Sequence, residues 1–68
     1  MVDGGSSSAP PGPEASLGAG IRARRRHLGL TLTELAKRTS LSQPFLSQVE
    51  LGSAQPSMRS LNRIALAL

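Results

Sequence analysis

From Ser16 onward, apolar residues recur three and four positions apart. The series runs Leu17, Ile21 and Leu28, then Leu32, Leu35 and Ala36, then Leu46 and Val49, then Met58, Leu61, Ile64, Ala65 and Leu68. That spacing is the 3.6-residue period of amphipathic helices with one face toward a core. Strand signals are nearly absent, with one Val after residue 2, one aromatic residue and no alternating run. The pattern therefore predicts an all-α domain of short helices.

Punctuation residues divide the series into four. Ser16 is the expected N-cap of a first helix over residues 17–27, and Gly29 supplies a left-handed stop. Gly18 and Gly20 weaken the first turn of that helix, so fraying is expected there. Thr31 and Glu34 have capping-box spacing, which opens a second helix reaching about Arg38. Thr39, Ser40 and Leu41 form a turn, and Ser42 caps a third helix. Pro44 falls in its first turn, where a missing N–H costs nothing, and Gly52 ends it. Gln55 and Pro56 break the chain, Ser57 recaps, and a fourth helix runs to the end at Leu68.

Composition narrows the picture. Ten of the thirteen residues from Gly4 to Ser16 are Gly, Ser or Pro. Such a stretch cannot bury enough apolar surface to offset its chain entropy, which predicts a disordered leader over residues 1–15 and a folded domain over 16–68. A groove-following arm is the other reading of the leader, but it has no Lys or Arg to hold a phosphate. A domain this small buries only about 60% of its unfolded surface, so its core is thin. With no cysteine and only His27, neither a disulfide nor a metal site is expected, and no cofactor.

Charge points to a partner. Residues 17–68 carry all eight Lys and Arg against two acids, Glu34 and Glu50, a net +6. A compact basic unit of this kind suits a polyanion. No run of 18 apolar residues exists to span a membrane, and the N-terminus lacks the basic and apolar regions of a secretory signal, so a cytoplasmic location is expected. Catalysis is not expected: Glu34 and Glu50 are sixteen positions apart, His27 lacks a partner and no phosphate-cradling Gly loop occurs.

Two short helices joined by about three residues are the central observation. A short helix fits the major groove, and a tight turn holds it at a fixed angle to the helix bracing it. The pattern needs a small residue at the closest approach, Ala36, and apolar residues after it, Leu41, Leu46 and Val49. Together with GLTLTELA at 29–36, LSQPFLSQVE at 41–50, Gly52 and PSMRSL at 56–61, this arrangement resembles the Cro/repressor-type helix-turn-helix family, also called the xenobiotic-response-element (XRE) family.

The resemblance implies a small lambda-repressor-like bundle of four helices, to which the family usually adds a fifth. It implies sequence-specific binding to double-stranded DNA as a transcriptional regulator, a repressor in the leading reading, with the third helix (residues 42–51) in the major groove. Gln43, Pro44, Ser47 and Gln48 would read bases; a glutamine amide both donates and accepts, which suits adenine. Two glutamines that merely solubilise a helix are the plainer alternative. Thr31, Thr33, Ser42, Lys37, Arg38 and Arg59 would contact the DNA backbone, while Arg22, Arg24, Arg26 and Arg63 are weaker candidates on a face that is ordinarily just solvated. Glu50 would pair with Arg25, making both structural. Phe45 lies outside the buried stripe, which leaves three roles open: packing on the fourth helix, touching a thymine methyl, or meeting a partner subunit.

The resemblance further implies homodimers on palindromic operators, often with a C-terminal sensor domain. The mid-helix ending at Leu68 is what a chain truncated before such a part would show. Three positions depart from the family pattern: Ser40 replaces a glycine, Leu32 a glutamine and Leu51 a polar residue. Ser40 would pay on the order of 1 kcal/mol for positive φ; the two leucines would remove phosphate contacts and expose apolar surface. A protein-interaction module using exposed Phe45 and Leu51, antitoxin-like or scaffolding, is the competing function.

Overall fold

Four helices run through residues 13–68, the part of the chain that the computed structural model describes: α1 Pro13–His27, α2 Leu32–Thr39, α3 Gln43–Leu51 and α4 Met58–Ala67. No strand occurs among the described residues. The all-α expectation holds.

Helix α1 begins four residues earlier than expected, so Ser16 is not its N-cap but lies within it. Proline explains the shift, because its ring presets φ for the first helical position, where its missing N–H is no loss. The leader reading, as far as residue 12, lies outside the described residues.

The other boundaries follow local chemistry. At the end of α1, Gly29 has φ 74°, its N–H reaches the Arg26 carbonyl and that of Leu30 the Arg25 carbonyl, both at 3.0 Å. This is the two-bond left-handed stop that satisfies free carbonyls. The capping box at Thr31 is complete: the Glu34 N–H donates to Thr31 Oγ1 at 3.1 Å, and the Thr31 N–H donates to Glu34 Oε1 at 2.7 Å. Ser42 Oγ accepts from the Phe45 N–H, and Ser57 Oγ from the Ser60 N–H. Gly52, at φ 83°, ends α3.

Between α2 and α3 stands Ser40, the only non-glycine residue at positive φ among those described, at 59°. Thr39, placed in the turn by its sequence, is instead the last, buried residue of α2. Its hydroxyl donates to the Leu35 carbonyl at 2.8 Å and accepts from the Leu41 N–H at 3.3 Å. One side chain therefore serves both ends of the turn, offsetting the conformational cost at Ser40.

Five side chains form the buried core: Ile21, Leu35, Leu46, Val49 and Ile64. Leu32, Ala36, Leu41, Phe45, Leu61 and Leu68 pack around it. Four expected inward residues do not belong there: Leu17 on α1, Leu28 just after it, and Met58 and Ala65 on α4, are exposed. Each sits at the edge of its apolar stripe or at a helix end, where a domain this small has nothing left to cover it.

What α1 buries instead is Gly18. A Cβ built there would lie 2.6 Å from the Glu50 carbonyl oxygen and closer still to that of Val49. The glycine expected only to weaken the helix is thus where the backbones of α1 and α3 meet. Gly20 has open space around its Cβ position. Helix α3 packs on α1 and on α2, and α4 packs on α2. Arg24 adds a 3.4 Å bond from Nε to the Leu68 carbonyl.

About two turns beyond Gly18 the same two helices are tied by charge. Arg25 Nε donates to Glu50 Oε2 at 2.7 Å, and its Nη2 donates to Oε1 at 3.0 Å. Nη1 donates to the Leu30 carbonyl at 2.9 Å, so one guanidinium joins α1, the following loop and α3. The two side chains are 13% and 6% exposed. The bond to Glu50, with its charge, holds the Arg25 pKa above its ordinary value against the opposing effect of burial.

Five substitutions have expected outcomes in thermal or urea unfolding. Gly18→Ala should destabilise by about 1–3 kcal/mol, because a methyl group against backbone has nowhere to go, whereas Gly20→Ala should stabilise by about 0.5–1 kcal/mol through helix propensity. Replacing Ser40 by Gly removes about 1–2 kcal/mol of left-handed strain and adds about 0.5–1 kcal/mol of chain entropy, a small net gain; Ser40→Val should destabilise. Arg25→Ala leaves Glu50 buried without its partner and should cost about 3 kcal/mol, the low end for buried pairs because a solvent-open cleft adjoins it. Unchanged stability in that variant would mean the pair does not orient α3.

Candidate nucleic-acid interface

The turn at Ser40 brings the starts of α2 and α3 side by side. Thr33, in the first turn of α2, donates its hydroxyl proton to Oε1 of Gln43, the first residue of α3, at 3.0 Å. Each start is independently fixed by its own cap, Thr31 and Ser42. In both caps the hydroxyl oxygen accepts, so the hydroxyl proton stays free to donate outward.

Along α3, Ser47 and Leu51 follow Gln43 at intervals of four, which stacks all three on one face, with Pro44 and Gln48 flanking them. Gln43, Pro44 and Gln48 are exposed and Ser47 is half-buried; the opposite face holds Leu46, Val49 and Glu50 in the interior. Thr31, Thr33 and Ser42 are exposed at the helix starts, and Arg59 is exposed in the first turn of α4. Lys37 and Arg38 are exposed in the last turn of α2, where positive charge also complements the helix dipole. Arg25 and Glu50 face inward as a pair, while Arg22, Arg26 and Arg63 are exposed.

Thr33, expected as a DNA-backbone contact, donates its hydroxyl proton to Gln43 in this structure. Phe45 is half-buried against the core, not exposed, because it stands on the side of α3 that closes over the core. Leu32 also packs on the core, so its cost in bare apolar surface is less than its position suggests. Leu51 is 70% exposed, as its sequence position implies. With Arg22, Arg25, Leu32, Ser47 and Glu50 it lines a cleft between the first three helices.

Glu34 shows how firmly α2 begins. The backbone N–H of Thr31 holds its carboxyl below the usual carboxylate range, aided by the Thr31 hydroxyl and more weakly by Arg38 and Lys37. With the folded pKa lowered, the cap contributes fully at neutral pH and is lost as pH falls through that lowered value.

Sequence reasoning missed the Thr33–Gln43 link. The two residues are ten positions apart, and only the left-handed turn at Ser40 brings them together. Among the described residues no cluster of His, Cys, Asp or Glu is arranged to hold a metal ion, and no helix is long and apolar enough to cross a membrane.

Comparison with known proteins agrees with this arrangement. The Helix-turn-helix family model matches residues 21–68. An uncharacterized HTH-type transcriptional regulator of Mycobacterium tuberculosis is 43% identical over 51 residues, which cover 75% of this chain and 36% of that protein. The ImmF control region 10 kDa protein of Bacillus phage phi105 is 40% identical over 52 residues, covering 76% and 58%. An uncharacterized HTH-type transcriptional regulator of Methanothermobacter thermautotrophicus is 42% identical over 48 residues, covering 71% and 70%. The chain thus spans roughly a third to somewhat over half of the first two relatives. No solved structure matches it significantly. Its helices, its turn and these relatives all lead to one assignment: the chain belongs to the Cro/repressor-type (XRE) helix-turn-helix family of DNA-binding transcription regulators.

Proposed function

We propose that the chain binds double-stranded DNA sequence-specifically as a transcriptional repressor, with α3 in the major groove. The exposed polar face of α3, carrying Gln43, Pro44, Ser47 and Gln48 opposite a fully buried one, is the observation that supports this reading. Gln48 has no side-chain partner within the described residues and keeps both halves of its amide for a base edge.

Thr31 and Ser42 supply hydroxyl donors to phosphates at the starts of α2 and α3, and the free N–H groups there favour anions. Lys37, Arg38 and Arg59 add charge on the flanks. Two copies of the chain occupy half-sites of a palindrome about one helical turn apart. The competing protein-interaction reading loses half its support with Phe45 packed on the core.

Binding measured against salt should give a log–log slope of about −0.9 per phosphate neutralised, near −5 for five or six contacts. A slope near zero would favour protein binding through apolar groups. Sequences selected from random duplexes should change at distinct positions in Gln43→Ala and Gln48→Ala. If neither variant alters the selected motif, α3 is not the reading helix.

A further inference from the structure

Gln43 would be a poor reader on its own. It is exposed at the first turn of a helix, with several rotamers and two amide orientations. Ordering such a side chain at a base edge is entropically unfavourable. In the structure that freedom is already gone, because the Thr33 hydroxyl donates to Gln43 Oε1 at 3.0 Å.

Thr33 is well suited to hold it. A β-branched side chain on a helix has few χ1 states, and the capping box at Thr31 and Glu34 anchors the turn that carries it. Gln43 is anchored in the same way by the Ser42 cap. The bond thus joins two fixed points rather than two mobile side chains.

We propose that Thr33 is a positioning residue that sets the base preference of Gln43; this rests on the reading of α3 as the groove-reading helix. With one lone pair of Oε1 taken by Thr33, the amino group faces outward as a donor and one carbonyl lone pair remains. Adenine satisfies both at once through N7 and N6. Cytosine offers only the N4 donor, which the remaining lone pair can accept, but the amino group that the Thr33 bond holds outward then meets no acceptor. Thr33 therefore favours adenine over cytosine at the base pair Gln43 meets, without touching DNA.

The test is duplex selection and affinity measurement with the 68-residue chain and four variants: Thr33→Val, which keeps shape and removes the hydroxyl, Thr33→Ser, which keeps the hydroxyl, Gln43→Ala, and the double variant Thr33→Val with Gln43→Ala. In Thr33→Val the preference at the position altered by Gln43→Ala should fall about 3- to 10-fold, the range of one hydrogen bond. Other positions, the melting temperature and the salt slope should stay unchanged, and Thr33→Ser should restore most of the preference. The double variant should read like Gln43→Ala alone. A uniform loss across all sequences with a slope shallower by about one would make Thr33 a phosphate contact and overturn the proposal. An unchanged motif in Thr33→Val would overturn it as well. If Gln43→Ala leaves the motif unchanged while Gln48→Ala alters it, this proposal fails and the reading of α3 stands; if neither variant alters it, both fail.

Discussion

Glu50 leaves water at the C-terminal end of α3, and Arg25 meets it there with two hydrogen bonds, 2.7 and 3.0 Å long. A small domain of this kind holds only a few kcal/mol of net stability, so an unpaired carboxylate at that place would consume most of it. The consequence is positional. Because the same guanidinium also bonds the Leu30 carbonyl, the end of α1, the approach to α2 and the body of α3 are set together. A buried pair adds little to net stability compared with apolar groups of the same size. Its value here is that the alternative docking angles of α3 leave charges unmatched.

Gly18 complements that lock with a contact of the opposite character. At Arg25 the helices are joined by long side chains; at Gly18 their backbones touch with no side chain between. A helix pinned by direct backbone contact at one point and by a two-pronged pair at another has little freedom to rotate or slide. Rigidity of this kind is what the reading role proposed for α3 requires, since an exposed side chain is only as well placed as the helix beneath it.

The turn extends the same logic to α2. Thr39 bonds both sides of it, Ser40 accepts a left-handed conformation, and the starts of α2 and α3 come within hydrogen-bonding reach at Thr33 and Gln43. The exposed face of α3 is therefore built from both helices of the motif. Leu51 remains exposed at the edge of the cleft, an apolar residue on an otherwise polar face.

Much of this was legible in the residue order. Caps at Thr31, Ser42 and Ser57, stops at Gly29 and Gly52, and the inward run of Leu35, Leu46, Val49 and Ile64 depend on interactions between near neighbours, and near neighbours are what a sequence displays. The left-handed strain at Ser40 was readable for the same reason, since a tight turn between two helices has few conformations. Tertiary structure alone decided the rest. Periodicity marks a stripe without saying where its edges fall, so Leu17, Leu28, Met58 and Ala65 stand in the open while Thr39 is enclosed. Gly18 looks like a weakness until α3 is laid against it. Thr33 and Gln43 are unrelated until the turn folds them together, because a hydrogen bond between helices depends on an angle that no local spacing encodes.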